Sequence, residues 1–416
     1  MMPVHQARAL IEAHARALPG ECVSIDDAPG RVLAEDVRAT HALPPFDNSA
    51  MDGFGLRVAA GVVPAGTALP VSARLAAGDG ATVLAPGSAC EIMTGARVPA
   101  GCDSVVPVEQ VDVLDRDADG VPRTIRLCAD VAQGQHVRRA GEDVAAGAIL
   151  APAGAWVTPA LAMLLRGAAA HRVPVARRPR AALLNTGREL VDDERPLREG
   201  EIRNTNGPYL EARLREAGAE VVLRETVGDE TMAFVEALGR ALAAGAEVIV
   251  STGAVSMGHY DFIPDALVAM GARIHFHKLR MRPGKPLLFA QLPGGALCFG
   301  LPGNPVSSAV GLRFFVEPAL RRMLGMPAER PLMLPLAAPV AGKPGFTRYH
   351  KADVGIDGGG QARVHSLHGQ ESFRIRPLAL ANAWLELPES AEGFDSGVLA
   401  PVWPLTHCHP FWSQTP

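Results

Sequence analysis

The sequence predicts an α/β domain, a parallel sheet with helices on both faces, lying between two β-rich stretches. Two observations carry this. From Arg180 onward, short apolar runs alternate with helix-length amphipathic ones, and several of the apolar runs end in Asn, Ser, Thr, Gly or Pro. Strands alternating with helices of these lengths assemble around a parallel sheet. Before this stretch, between about Pro44 and Val137, and after it, beyond Pro327, the chain shows short β-rich pieces separated by turn residues. That texture belongs to small β-domains.

In chain order, residues 5–18 read as an amphipathic helix with Ala7, Leu10 and Ile11 on one face. Strand candidates of the first β-rich stretch are 67–74, 89–93, 104–108 and 124–127. Residues 145–165 carry no charge and imitate a membrane span, but Gly147, Pro152, Gly154 and Pro159 interrupt them and Ala dominates. A bilayer helix needs about 20 predominantly apolar residues with an internally satisfied backbone. The better reading is a buried turn and a helix, with Thr158 as N-cap and Pro159 at its first position. In the α/β stretch, 181–184, 220–223, 247–250 and 296–299 are strands, and 208–217, 231–244 and 306–324 are helices. Strands at 362–365, 383–387 and 398–402 form a C-terminal β-domain, and no internal repeat of 20–50 residues is visible.

Composition bounds the function. A chain of 416 residues has room for two to four domains at about 100–200 residues each. Its 43 Gly and 35 Pro exceed the combined share of about 12% usual for globular proteins but stay below the ~25–30% of low-complexity disorder. A net charge of −4 argues against nucleic acid as a partner. Residues 1–6 show no basic stretch leading into an apolar one, so no secretory signal is expected. The six cysteines include no C-x-x-C pair, which disfavours zinc-ribbon and thioredoxin patterns and suits reduced thiols in the cytoplasm.

In an open α/β sheet, ligands sit beyond the carboxyl ends of the strands. Two small-residue loops stand there: Ser251-Thr252-Gly253-Ala254-Val255-Ser256-Met257-Gly258, and residues 300–308 running into a helix. Small residues let backbone approach a ligand, and a helix N-terminus favours anions. Either loop alone is more often a tight turn than a site; two together favour a site. Nearby, Lys278, Arg280, Arg282 and Lys285 place four positive charges within eight residues around Pro283-Gly284, a pattern suited to phosphate or another oxyanion. A solvated strand edge is the plain alternative. Carboxylates recur beside glycine at Asp52, Asp143, Glu189, Asp229 and Asp261. Each alone is commonly a turn or cap residue, while as a set they offer the hard oxygens Mg²⁺ takes. P-loop, G-x-G-x-x-G and G-x-S-x-G motifs are absent.

Pro45-Phe46-Asp47-Asn48-Ser49-Ala50-Met51-Asp52-Gly53-Phe54 resembles the signature of the molybdopterin molybdenumtransferases, the bacterial enzymes similar to the gephyrin E-domain. The resemblance continues in order through Ile92-Met93-Thr94-Gly95-Ala96, Arg139-Ala140-Gly141-Glu142-Asp143 and Asn185-Thr186-Gly187-Arg188-Glu189-Leu190. It runs on through Ser251-Thr252-Gly253, Arg282-Pro283-Gly284-Lys285-Pro286, Gly300-Leu301-Pro302-Gly303-Asn304-Pro305-Val306-Ser307, Gly369-Gln370-Glu371-Ser372 and Leu380-Ala381-Asn382-Ala383.

The resemblance implies four domains: an elongated dimerisation unit from 1–43 and 138–178, an inserted β-rich domain at 44–137, the α/β molybdopterin-binding domain at 179–327, and a C-terminal β-domain at 328–416. It implies a cytoplasmic homodimer with its site between the α/β domain of one subunit and the inserted domain of the other. The implied reaction is Mg²⁺-dependent insertion of molybdate into the dithiolene of adenylylated molybdopterin, with release of AMP. The upstream adenylyltransferase and molybdoenzyme maturation proteins are implied partners, and nucleic acid and membrane are not.

By motif, Asp52 and Thr94 are the residues offered across the dimer interface, and Asp143 belongs to the Gly-Glu-Asp motif. Glu189, Asp229 and Asp261 are the implied pocket carboxylates and metal ligands, and Lys278, Arg282 and Lys285 a cationic clamp. Thr186, Gly187, Ser251, Thr252, Gly253, Pro302, Gly303, Asn304 and Ser307 are implied in substrate binding, with Ser256, Lys285, Arg348 and Ser372 facing molybdate. Ala254 replaces the second glycine of the family's Gly-Gly-Val-Ser, and His259 stands where an Asp is frequent. An Ala held at positive φ there costs about 1 kcal/mol. A non-catalytic molybdopterin binder or scaffold is the alternative, and a nucleotide-cleaving hydrolase sharing only the α/β domain a third reading. The intact carboxylate set favours the transferase over a binder, and the flanking motifs disfavour the hydrolase.

Overall fold

The computed structural model describes residues 1–254 and 262–406. A six-stranded sheet lies at its centre, in the order Glu220–Val227, Arg180–Thr186, Val248–Thr252, Leu297–Leu301, Leu288–Gln291, Arg273–His277. The first four strands run parallel, as expected, but Leu288–Gln291 is antiparallel to both its neighbours. The sheet is therefore mixed. The cause is the short 292–296 link, closed by Leu292 N–H to Ala296 O at 2.9 Å. A parallel connection needs a dozen or more residues, so this link can only make a hairpin.

Strand alternation distributes the apolar residues to two cores. Ala181 and Leu183 face the core built with Leu210, Leu214 and Phe315. Ala182 and Leu184 face the one built with Phe234, Leu238 and Ile263. Because both faces are covered, the strand reads as a continuous apolar run. The covering helices are Asn206–Glu216, Thr231–Ala243, Ile263–Ala269 and a long one formed by Pro305–Gly311, a π-helical turn at Leu312–Val316, and Glu317–Met323.

The N-terminal helix spans Val4–His14, shorter than the expected 5–18. It buries Val4, Ala7 and Ile11 in the α/β core, and the chain then leaves it as Leu18 N–H bonds to Met323 O at 2.8 Å. Gly20–Ser24 pairs with Arg172–Ala176, and Val37–Arg38 with Ile149–Ala151, so two distant segments make one unit around Leu33, Val157 and Leu165. There Thr158 Oγ1 accepts from Leu161 N at 3.1 Å and Pro159 opens the Pro159–Gly167 helix, as its sequence predicts. No helix among the described residues is long and apolar enough to cross a membrane.

The first β-rich stretch forms a sheet in the order Ser104–Pro107, Gly53–Leu56, Ala89–Ile92, Ala68–Leu75, Pro122–Leu127, Val111–Arg116. The C-terminal sheet runs Met281–Arg282, Thr347–Ile356, Ala383–Leu387, Leu399–Pro404, Leu332–Pro335, with Ala362–Ser366 also against Thr347–Ile356. Its first strand comes from the α/β stretch and sets Arg282 opposite Arg348.

A buried ionic network clamps this junction. Glu317, fully buried, takes Arg213 from the Asn206–Glu216 helix and Arg313 at 3.6 Å, while Arg313 also reaches Glu329 at 2.6 Å. Arg313 Nε donates to Pro404 O at 2.9 Å, and Arg213 donates to Leu405 O, which ties in the C-terminal sheet. Removing one member strands buried charge, so Glu317→Ala is expected to cost about 3–5 kcal/mol. Urea unfolding measures it as a lowered midpoint at unchanged slope; a loss below about 1 kcal/mol would show the network to be dispensable.

Candidate functional site

The strand order reverses between Arg180–Thr186 and Val248–Thr252: from the first strand the chain goes to one side, then returns to the other. Such a switch point leaves a crevice at the carboxyl ends. Here the two strand ends are stitched together. Asn185 Nδ2 donates to Thr252 Oγ1 at 2.7 Å, and Thr186 Oγ1 donates to Thr252 O at 3.0 Å. Gly253 has φ +87°, and a Cβ there would stand 2.6 Å from Thr186 Oγ1 and 2.7 Å from Thr186 O. Only glycine fits. Ala254 follows at φ 47°, the left-handed region in which alanine is strained.

The crevice is a cleft of about 710 Å³ lined by Thr186, Gly187, Glu189, Asp229, Thr252, Gly253, Gly303 and Asn304, with Arg188, Asn204, Asn206 and Phe373 among its other walls. Asp229 Oδ2 accepts from Arg188 N at 3.2 Å. The Glu189 carboxylate folds over Gly187, where a Cβ would lie 2.7 and 2.8 Å from its two oxygens. Asn206 Nδ2 holds Gly303 O at 2.8 Å. Among the described residues, no group of three or more His, Cys, Asp or Glu side chains could hold a metal by itself. Glu189 and Asp229 do share one cleft, and two carboxylates are what Mg²⁺ takes when phosphate oxygens and water supply its remaining ligands.

A second cleft of about 630 Å³ opens beside it, lined by Arg282, Pro283, Arg348, His350, Gln370, Ser372 and Phe373 among others. Phe373 walls both clefts, and Ser372 O accepts from Val306 N at 3.0 Å, which fastens this loop to the start of the long helix. Arg348 Nε is buried without a hydrogen-bond partner. Burial, reinforced by Arg348 and Lys351, pushes the His350 pKa down to about 4, so the ring stays neutral at pH 7. The cleft's two guanidiniums stand in register, a donor set matched to an oxyanion, while Glu371 on its rim is paired with Arg374 at 2.9 Å.

Other sequence-derived candidates lie apart from these clefts. Asp52 and Thr94 are exposed and joined, with Asp52 Oδ1 accepting from Thr94 N at 2.6 Å and Thr94 Oγ1 at 2.8 Å. These bonds hold the Asp52 carboxyl below the usual range. Asp143 is an exposed turn residue whose N–H bonds to Leu43 O at 3.0 Å. Lys278 and Lys285 are not among the residues lining either cleft. Leu279 N–H bonds to Lys285 O at 2.9 Å, so Lys285 shapes the turn through its backbone. Ser251, Pro302 and Ser307 are buried behind the first cleft: Ser251 Oγ donates into the sheet to Phe299 O, and Pro302 O accepts from Ser308 Oγ. Ser256, His259 and Asp261 lie outside the described residues.

Sequence reasoning missed the cleft residues Arg188, Asn204, Asn206, His350, Gln370 and Phe373. The polar run Asn204-Thr205-Asn206-Gly207 before a helix was a usable signal, since Asn204 Oδ1 caps Gly207 N at 2.8 Å. It also missed Lys351, which is fully buried and donates from Nζ to the carbonyls of Gly369 at 2.7 Å and of Glu371 and Arg374 at 3.2 Å. One ammonium thereby holds the loop carrying Ser372 and Phe373. Lys351→Met is expected to weaken oxyanion binding in this cleft at least about tenfold while leaving the melting transition cooperative, as read by calorimetry, because each charged hydrogen bond contributes about 1.5–3 kcal/mol. Unchanged affinity would mean that the loop holds its shape without the lysine.

Three family models match the chain: MoeA N-terminal region (domain I and II) over residues 2–169, probable molybdopterin binding domain over 182–322, and MoeA C-terminal region (domain IV) over 333–405. Molybdopterin molybdenumtransferase 2 of Mycobacterium tuberculosis is 36% identical, covering 98% of this chain and 100% of its own. The molybdopterin molybdenumtransferase of Synechococcus elongatus is 36% identical over 91% and 92% of the two chains. The crystal structure of the molybdopterin biosynthesis MoeA protein from Pyrococcus horikoshii matches with a TM-score of 0.77 at 27% identity, covering 97% of this chain and 99% of that one.

Proposed function

The chain belongs to the molybdopterin molybdenumtransferase family, and from that premise we propose that it is a transferase of molybdenum cofactor biosynthesis, inserting molybdate into the dithiolene of adenylylated molybdopterin with release of AMP. The observation that carries the proposal is the junction of two unlike clefts at Phe373. One offers carboxylates and close-approach backbone, the other two guanidiniums. A substrate bearing both phosphate and a metal-accepting dithiolene needs both environments within one molecule's reach.

In this reading the substrate's phosphates lie over Gly253 and Gly303, where small residues let them approach the backbone, and beside the Glu189 carboxylate that covers Gly187. Glu189 and Asp229 would hold Mg²⁺, which when bound neutralises phosphate charge and polarises the bond to the leaving AMP. Arg282, Arg348 and Ser372, which line the second cleft, orient molybdate. The paired Asp52 and Thr94 serve the cleft of a second subunit, so the working form is a homodimer with shared sites. Scattered cysteines without a C-x-x-C pair fit a cytoplasmic setting.

Incubation of the purified protein with adenylylated molybdopterin, molybdate and Mg²⁺ is expected to release AMP and yield active cofactor. Chelation is expected to stop both and added Mg²⁺ to restore them. Asp229→Asn is expected to lower kcat at least about 100-fold with substrate still bound. Binding without AMP release in the wild-type protein would overturn the transferase reading and favour a binder.

The shared site has its own test. Inactive Asp52→Ala and Asp229→Ala proteins, mixed and allowed to exchange subunits, are expected to regain about a quarter of wild-type activity, since half the dimers then hold one intact site of two. No recovery after demonstrated subunit exchange would place both residues in one chain's site.

A further inference from the structure

The inserted β-rich region holds two thiols that no step above uses. Gly55 lies opposite Cys90 in the antiparallel pair of Gly53–Leu56 with Ala89–Ile92. Cys102 comes from the turn before Ser104–Pro107, the neighbour of Gly53–Leu56 on its other side. Both side chains turn into the space that Gly55, lacking a side chain, leaves open. A Cβ at Gly55 would stand 2.9 Å from Cys102 Sγ and 3.0 Å from Cys90 Sγ, so the two sulfurs flank one point. Cys90 is fully buried, and Cys102 is half-buried, which gives a small oxidant one point of entry. The remaining described cysteines are scattered: Cys22 and Cys128 are exposed, and Cys298 is buried.

Each thiol donates to a backbone carbonyl, Cys90 Sγ to Gly55 O at 3.6 Å and Cys102 Sγ to Ser104 O at 3.4 Å. The contact between them lowers Cys90 from the ordinary thiol range and raises Cys102 above it. Two thiols of unequal acidity gathered at one point are the arrangement in which oxidation of one is resolved by the other.

We propose that Cys90 and Cys102 form a redox-modification site, converted by hydrogen peroxide into a reversible intrachain disulfide. The two S–H bonds and the peroxide O–O bond break, one S–S bond forms, the sulfurs are oxidised by two electrons, and both thiol protons leave in the two waters to which the peroxide is reduced. The new bond closes residues 90–102 into a ring, and that ring carries Thr94, the partner of Asp52. The modification stands on its own geometry and does not depend on the transferase reading.

The test is peptide mapping of the full-length protein after peroxide, with free thiols blocked before digestion. A Cys90–Cys102 linked peptide is expected, with a mass loss of about 2 Da that dithiothreitol reverses. A C22S/C128S/C408S background is expected to give the same result, and C102S within it to give none. To keep the outcome independent of how that variant folds, the wild-type map decides. Both thiols blocked after peroxide, both driven to sulfonic acid, or Cys90 linked to any other cysteine would each overturn the proposal.

Discussion

Two turns of the central sheet pass so close that the side chain at one of them must be a hydrogen. A β-carbon on Gly253 would overlap the hydroxyl and the carbonyl of Thr186, and the Asn185–Thr252 and Thr186–Thr252 bonds hold the two strand ends at that separation. From this approach the rest follows. It brings Gly187 and Gly253 to one floor, sets Glu189 and Asp229 along one wall, and lets the loop at Gly303 close the other. Topology opens a crevice wherever strand order reverses; small residues at its lip decide that backbone, rather than side chains, meets the ligand.

The second cleft depends on a different chemistry. Arg282 sits on a two-residue strand that leaves the α/β stretch and joins the C-terminal sheet, and so meets Arg348 in register. Two like charges at adjacent positions repel unless an anion lies between them. The loop that completes this cleft is held by the buried Lys351 and fastened through Ser372 to the long helix. The Arg213–Arg313–Glu317–Glu329 network fixes the C-terminal sheet against the helices. Mutual placement of the two clefts is thus a property of the domain junction, and Phe373 marks where they meet.

Where burial is two-sided and local, the sequence was legible. Residues 181–184 and 383–387 read as strands because both faces or one whole face is apolar, and Thr158-Pro159 announced its helix. The strand Leu288–Gln291 escapes the pattern because the basic 278–285 segment before it dominates, and a hairpin rather than a crossover follows. Of the site, the glycine-rich lip and its acidic neighbours were readable from residue type and spacing. Arg348 is reached only through the motif resemblance and Lys351 not at all, since a lysine in an alternating strand reads as surface until a distant loop covers it. The N-terminal helix ends at His14, earlier than its pattern suggests, because Met323 draws the following chain away.

The central claim is that the cleft with two carboxylates and the cleft with two arginines form one continuous site for a single anionic substrate and its oxyanion. Crystals soaked with tungstate, as an anomalous-scattering stand-in for molybdate, together with adenylylated molybdopterin test it most directly. The account predicts an anomalous peak between Arg282, Arg348 and Ser372, and phosphate density over Gly253 and Gly303 on the other side of Phe373. A tungstate peak elsewhere on the chain, or phosphates bound away from the carboxyl ends of the central strands, would contradict it.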